Sequence, residues 1–282
     1  MKIRFLINTL FLSLVLCTNL LASKIPADYK QIDCTFRPIV AKLDHQSHHH
    51  IAGPKAVIQP KIQATSTNWA GYVAASYLNG PNNSVSAAYG SWIVPSVKPC
   101  KNNTHSRIWV GVGGFFSPDP DVVHIGTSHN FINGSGQHYA WFEVSPGGSY
   151  SVDGFPLNVG DVITASVEYS GNSIYTLRLY NDTKKVVTTI PTQYTQSSTV
   201  QNMSAEWIVE APYLNGVLPL ADFNTLYMWG CIANINGVLI PLNNGYWQNT
   251  ALEMVTDNGA PKAIPSTVLL DNGSFFVNWK HQ

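Results

Sequence analysis

Glu206 is the residue whose type and surroundings most directly suggest chemistry. It lies in Ser204–Ala211, a run containing β-branched and aromatic residues and no glycine, which predicts a β-strand. Because side chains alternate along a strand, Glu206 shares one face with Ile208 and Glu210. Only 11% of the residues are charged, and a carboxylate in such a strand is costly unless it faces water, a partner or a substrate.

Common catalytic signatures are absent from the sequence. It contains no Gly-x-Ser-x-Gly, no His-Glu-x-x-His, no Cys-x-x-Cys and no phosphate-binding glycine-rich loop before a helix. Any chemistry must therefore come from carboxylates, amides and histidines on strands. We expect no metal and no cofactor.

Residues 1–22 have the composition of a secretory signal peptide. Lys2 and Arg4 precede the apolar run Phe5–Leu16, and Ala22 is a small residue at a cleavage position. No later apolar stretch is long enough to cross a bilayer. We expect a secreted, extracellular or periplasmic protein that does not bind membranes.

Residues 23–64 are interpreted as a leader or pro-segment. They combine scattered charge with prolines and the histidine-rich tract 45–50. The tract could capture a metal, but no cysteine lies close by, and we favour a solvated linker. Because the histidines gain charge between about pH 7 and 5, we expect the leader to cover the functional site at neutral pH and to be removed in acid.

Residues 65–282 have the pattern of one all-β domain. Short apolar or alternating runs are separated by turn clusters, and almost no segment has helical periodicity. Val162–Tyr169 and Ser173–Tyr180 flank one such cluster and predict a hairpin. A domain of this length and pattern fits a single antiparallel sandwich or barrel.

Charge and cysteine content limit the partners. The chain has 16 basic and 16 acidic residues, and loss of Lys2 and Arg4 with the signal peptide leaves a small acidic excess. There is no basic stripe, so we expect no nucleic-acid partner. If signal and leader are both removed, Cys100 and Cys231 remain, either as a disulfide or as buried thiols. We expect a monomer.

Six segments together resemble, in order and spacing, the motifs of the glutamic peptidases, the eqolisin family. The resemblance covers about Ser66 to Ala233 and implies a concanavalin-like sandwich of two antiparallel sheets. It also implies a secreted, acid-acting endopeptidase that cleaves polypeptides without a metal. The segments are Asn68–Tyr72 (NWAGY), Gly90–Pro95 (GSWIVP), Trp109–Gly114 (WVGVGG), Tyr139–Glu143 (YAWFE), Ala205–Glu210 (AEWIVE) and Leu220–Phe223 (LADF).

The resemblance also implies the site residues. The family's catalytic Glu corresponds to Glu206, and its catalytic Gln corresponds to His124 in Val123–Thr127. The family's Asp after Trp-Val-Gly-Val is Gly113 in this chain. Glu210 is interpreted as structural or on the rim. We place the substrate-binding residues at Trp69, Trp109, Gly114 and Glu143.

In the family mechanism the Glu carboxylate takes a proton from water, and the Gln amide donates a hydrogen bond to the oxyanion that forms. A protonated histidine can replace that donor. We expect the attraction between the two groups to lower the pKa of Glu206 and to raise the pKa of His124.

Two other functions remain open. The changed Gln and Asp positions suit a non-catalytic sandwich that binds peptides or glycans. A tryptophan-lined sandwich face also suits a polysaccharide hydrolase, with Glu143 and Glu206 as acid and base. That second alternative requires carboxyl groups about 5 to 9.5 Å apart.

Overall fold

The protein folds entirely from β-strands. The structure, a computed structural model, describes residues 25–39, 63–116, 121–145, 147–190, 200–269 and 273–282, and within these ranges it contains strands and turns but no helix. The strands are β1 (Lys30–Gln31), β2 (Thr35–Pro38), β3 (Gln63–Ser66), β4 (Trp69–Ala75), β5 (Val85–Ile93), β6 (Thr104–Val112), β7 (Val123–Ile132), β8 (Ser135–Val144), β9 (Ser149–Asp153), β10 (Val162–Gly171), β11 (Ile174–Asn181), β12 (Val186–Thr189), β13 (Ala205–Glu210), β14 (Thr225–Ile235), β15 (Val238–Pro241), β16 (Gln248–Val255), β17 (Pro261–Pro265) and β18 (Phe275–Trp279).

The strands pair into the two layers of a sandwich. The first layer has the spatial order β2-β9-β8-β7-β6-β13-β4-β16-β3, and the second has the order β1-β12-β11-β10-β5-β14-β15. β17 and β18 pair with each other and connect β16 to β14. Pairing is antiparallel except between β1 and β12 and between β16 and β3. The predicted antiparallel sandwich is confirmed.

Alternation along β13 separates the sandwich core from a second face. Trp207 packs in the main core, which also contains Trp92 from the second layer. Its indole Nε1 donates a hydrogen bond to the Tyr89 carbonyl of β5 at 2.7 Å, which joins the layers. Ile208 packs in a different cluster, on the side of the first layer that points away from this core. We call that side the site face, because Glu206 lies on it.

Two hairpins show how local sequence determines turns. β10 and β11 pair from Ile163 opposite Asn181 to Gly171 opposite Ile174, which confirms the predicted hairpin. Asn236 and Gly237 join β14 to β15 with φ angles of 55° and 76°. Two consecutive left-handed residues form the turn that suits the twist of a two-residue hairpin, and Asn-Gly adopts it most readily.

Residues 25–39 of the predicted leader add a strand to each layer, and Gln63 and Ala64 at its end begin β3. β1 pairs with β12 and β2 pairs with β9. The Tyr29 hydroxyl donates a hydrogen bond to Asp182 at 2.9 Å, and Ile39 packs against the apolar cluster of the site face. The predicted signal peptide and the histidine tract 45–50 lie outside the described residues. Removal of the leader stays a prediction.

The two cysteines that we considered as a pair do not form a disulfide. Cys100 is a partly exposed free thiol, and its sulfur accepts a hydrogen bond from the Gln282 amide. Cys231 is buried in the main core. Of the two open alternatives, the structure therefore has the unlinked thiols.

Candidate active site

The candidate catalytic residues lie in one cross-strand row, with Gly111 between them. Glu206 on β13 lies opposite Gly111 on β6. Gly111 lies opposite His124 on β7, and His124 lies opposite Glu143 on β8. Directly opposed residues point to the same side of a sheet, so all four lie on the site face. Two strand spacings, or about 10 Å, separate the backbones of Glu206 and His124.

The space over Gly111, between the two candidate catalytic residues, is filled by the Trp109 ring. A Cβ at this position would lie 2.9 Å from Cζ3 of Trp109 and 3.0 Å from Cβ of His124. Such contacts are closer than side chains tolerate. The missing side chain therefore lets the Trp109 ring lie over β6, next to His124.

Two tryptophans enclose the His124 imidazole. Its ring centroid lies 4.6 Å from the Trp109 ring and 4.7 Å from the Trp141 ring, the second in an edge-to-face arrangement. His124 is completely buried. The packing fixes the position of the ring on the site face.

Glu206 is also completely buried. This burial raises the pKa of its carboxyl well above the usual value, and the neighbouring Ser204 opposes the rise only in part. The expectation that His124 would lower this pKa is wrong for the closed site seen here, because loss of hydration is the larger effect. A raised pKa makes Glu206 a stronger base once it is ionised.

Glu210 orients Trp109 from the same strand as Glu206. The Trp109 Nε1 donates a hydrogen bond to Glu210 Oε2 at 2.9 Å. Trp69 lies opposite Glu210 on β4, and its ring meets the Trp109 ring edge-to-face at 5.0 Å. Glu210 is fully buried, so its interpretation as a rim residue is wrong and its structural interpretation holds.

Glu143 continues the row on the far side of His124. It is buried and accepts a hydrogen bond from the Ser149 hydroxyl. Three strand spacings, or about 14 Å, separate its backbone from that of Glu206, and His124 stands between them. This arrangement counts against an acid and base pair of carboxyls about 5 to 9.5 Å apart.

Gly113 and Gly114 follow the end of β6, both with left-handed φ angles, 84° and 95°. A Cβ on Gly113 would lie 2.3 Å from Cγ1 of Val200 and 2.8 Å from the Gln201 carbonyl oxygen. Val200 therefore occupies the space that an aspartate would need. A Cβ on Gly114 would lie 3.1 Å from that of Val122, so Gly114 borders the cluster of the site face rather than the row.

Restoring the aspartate is expected to destabilise the protein. Gly113→Asp combines a left-handed backbone with a collision against Val200, and we expect a loss of about 2 kcal/mol or more in unfolding free energy. Urea denaturation measures it. Gly154→Asp is the matched control, because Gly154 has φ 91° and no neighbour within 4 Å of an added Cβ. Equal losses in both variants would show that Val200 is not the obstacle.

The other histidines that lie near this segment in sequence belong elsewhere. His129 Nε2 bonds to the Thr127 hydroxyl at 2.8 Å, and its Nδ1 lies 3.0 Å from His138 Nδ1. His129 is five positions from His124 and so occupies the opposite face of β7. Burial lowers the pKa of both His129 and His138. Neither residue contributes to the row.

Sequence reasoning missed two residues of the site face, Arg107 and Trp141. Trp141 is part of the Tyr139–Glu143 segment but was not predicted as a site residue, yet its ring contacts His124. Arg107 lies two positions from Trp109 and is 1% exposed. The argument used for Glu206, a charge inside an apolar strand, could have found it.

The described residues hold no group of three or more histidine, cysteine or acidic side chains placed to bind a metal ion. In the same part of the chain, no helix has the length and apolar character needed to span a bilayer.

Known structures share this architecture. Scytalido-glutamic peptidase with a transition-state analogue inhibitor has a TM-score of 0.63 at 19% identity over 76% of this chain and 98% of its own. SCP-B, an eqolisin in complex with the tripeptide Ala-Ile-His, has a TM-score of 0.59 at 18% identity over the same shares. Aspergilloglutamic peptidase from Aspergillus niger has a TM-score of 0.52 at 21% identity over 63% and 99%. No curated protein sequence matches the chain.

The fold and the Glu206 row define a peptidase-like hydrolase built on a β-sandwich. The model of the Peptidase A4 family matches residues 67–278. The chain therefore belongs to the Peptidase A4 family, the glutamic peptidases, as the six sequence segments indicated.

Proposed function

We propose that the protein is a secreted endopeptidase that works in acid, with Glu206 as general base and His124 as the donor to the oxyanion. The observation that carries the proposal is the row in which Glu206 and His124 flank Gly111. The base lies on one side of Gly111 and the donor on the other, and the Trp109 ring fills the position between them. A water molecule and a carbonyl group can therefore enter only when this ring moves. We further propose that it acts as a monomer.

The proposed reaction needs one proton to move twice. Ionised Glu206 takes a proton from the water, and the water oxygen bonds to the scissile carbonyl carbon. The oxyanion that forms accepts a hydrogen bond from His124. Glu206 then gives its proton to the amide nitrogen as the carbon–nitrogen bond breaks. In the closed site the raised pKa of Glu206 favours its protonated form in acid. Opening of the site face hydrates the carboxyl and lowers this pKa, so the opening must precede the first proton transfer.

Substrate entry requires the site face to open. Glu206, His124, Trp69 and Trp109 are all completely buried. Ile39, at the end of the described leader segment, packs against the cluster that contains both tryptophans. We propose that departure of the leader uncovers this face.

A peptide-binding sandwich without catalysis is the second candidate. It is favoured by Gly113, where Val200 fills the space of the family's aspartate, and by His124 in the place of the family's glutamine. In this alternative the site face would bind a peptide and release it intact.

A digestion assay decides between the candidates. The purified protein is first incubated at pH 4.5, and its N-terminus is determined by mass spectrometry. It is then mixed with a denatured protein between pH 2 and 8, with pepstatin present to inhibit contaminating aspartic peptidases. We expect internal cleavage with an optimum in acid. Saturable peptide binding without cleavage at any pH would support the second candidate.

A further inference from the structure

Arg107 is a buried cation on the site face. It shares one face of β6 with Trp109 and Gly111 because the three alternate along the strand. It is 1% exposed. In the part of the chain that the structure describes, none of its three guanidinium nitrogens has a hydrogen-bond partner.

A guanidinium in this position needs hydrogen-bond acceptors. It cannot lose its proton at any pH that the protein experiences, and a buried charge without hydrogen bonds is strongly unfavourable. Glu210 lies opposite Arg107 on β13, but none of the guanidinium nitrogens donates a hydrogen bond to its carboxylate. The Arg107 guanidinium carbon instead lies over the Trp141 ring, 4.1 Å from its centroid.

Trp141 links Arg107 to the candidate catalytic row. The same indole that lies under the guanidinium lies 4.7 Å from the His124 ring. An extended peptide advances about 3.4 Å per residue. A substrate whose scissile carbonyl lies beside His124 would therefore bring a side chain to Arg107 from within about three residues of the cleaved bond.

Polar residues occupy the rows of the site face at and beyond Arg107. Ser128 lies opposite Arg107 on β7, and Asn130 lies opposite His105 in the next row. By alternation these residues belong to the site face. The rows at and beyond Arg107 therefore carry hydroxyl, amide and imidazole groups, which suits a polar ligand rather than an apolar side chain.

We propose that Arg107 is a specificity-determining residue that binds a carboxylate of the substrate within about three residues of the scissile bond. The proposal rests on the proposed peptidase function. The planar guanidinium can form two parallel hydrogen bonds with one carboxylate. The carboxylate comes from an aspartate or glutamate side chain, or from the substrate's C-terminus.

The test uses peptide pairs that differ only by Glu or Gln at one position, scanned over three residues on each side of the cleaved bond. At one position we expect the Glu peptide to have a kcat/KM about 10- to 100-fold higher. Arg107→Met should reduce this ratio to about one, and Arg107→Lys should restore part of it. Arg178→Met is the matched control. Its arginine pairs with Glu168 on β10 in the second layer, and the ratio should not change.

Peptides with free and amidated C-termini distinguish the two carboxylate sources. A Glu-to-Gln ratio that persists in amidated peptides assigns the carboxylate to a side chain. Equal values for Glu and Gln, with a higher kcat/KM for free than for amidated peptides, assign it to the C-terminus. The proposal would be overturned if kcat/KM were equal for Glu and Gln peptides at every position and also equal for free and amidated peptides. This result would leave the peptidase function intact.

Peptide binding to the Glu206→Gln variant distinguishes failure of the Arg107 proposal from failure of the proposed peptidase function. If the parent cleaves no peptide, the peptidase function fails, and the dissociation constants of the Glu and Gln peptides for Glu206→Gln still test Arg107. A 10-fold or larger difference that disappears in Glu206→Gln/Arg107→Met supports the proposal. Equal constants overturn it.

Discussion

Glu206→Gln is expected to abolish peptide cleavage and to make the folded protein more stable at neutral pH. Glutamine keeps the size of the side chain but cannot accept the proton of the attacking water. We expect kcat to fall by about 10² to 10⁴ or more, as for a lost general base. Digestion of a denatured protein at the acid optimum measures the loss. A folded variant that digests protein like the parent would show that Glu206 is not the general base.

The gain in stability follows from the raised pKa of Glu206. Between the unfolded pKa, about 4.5, and the higher folded value, the folded state binds a proton that the unfolded state has lost. The carboxyl therefore contributes most stability below pH 4.5, and this contribution is lost as the pH rises through the folded pKa. The glutamine variant has no such loss.

Urea denaturation at pH 4 and at pH 7.5 measures this difference. We expect the advantage of Glu206→Gln over the parent to be larger at pH 7.5. The lowered pKa of His129 acts in the opposite direction, because stability decreases as the pH falls below about 6.5. That contribution is the same in both proteins and cancels in the comparison. Glu253→Gln, a partly exposed residue on β16, is the control and should match the parent.

His124→Gln is expected to retain or increase cleavage, and His124→Ala to lose most of it. If His124 donates as a cation, activity in the parent needs it protonated, so activity should fall as the pH rises past its pKa. The amide of glutamine donates at every pH and removes that limit. Alanine donates nothing, and we expect a loss of about 10² to 10³ in kcat.

The pH profile of kcat/KM distinguishes a catalytic role from a packing role. His124 fills the space between Trp109 and Trp141, so alanine also leaves a cavity and lowers stability. A cavity alone would not move the alkaline limb, whereas loss of a titrating donor would. If His124→Ala cleaves like the parent across the same pH range, His124 is a packed histidine and the assignment fails.

Local sequence was enough to predict the strands and turns and to identify the family. Alternation marked Ser204–Ala211 as a strand, and turn residues placed the β10–β11 hairpin, because each depends on neighbours in the chain. The ordered segments from Asn68 to Phe223 identified the family for the same reason. Glu206 could be selected from sequence because a charge in an apolar strand needs an explanation wherever the strand lies.

Only the tertiary structure determined which residues share the site. β13 inserts between β4 and β6, and pairing between strands far apart in sequence fixes the row through Gly111. Burial of Glu206 results from everything that covers the site face, so the direction of its pKa shift reversed the expectation based on His124 alone. The position of Val200, which fills the space of an aspartate side chain, likewise explains why residue 113 is a glycine. The buried guanidinium of Arg107 became a candidate subsite only when Trp141 was found beneath it, since no local pattern encodes a contact between strands separated by β7.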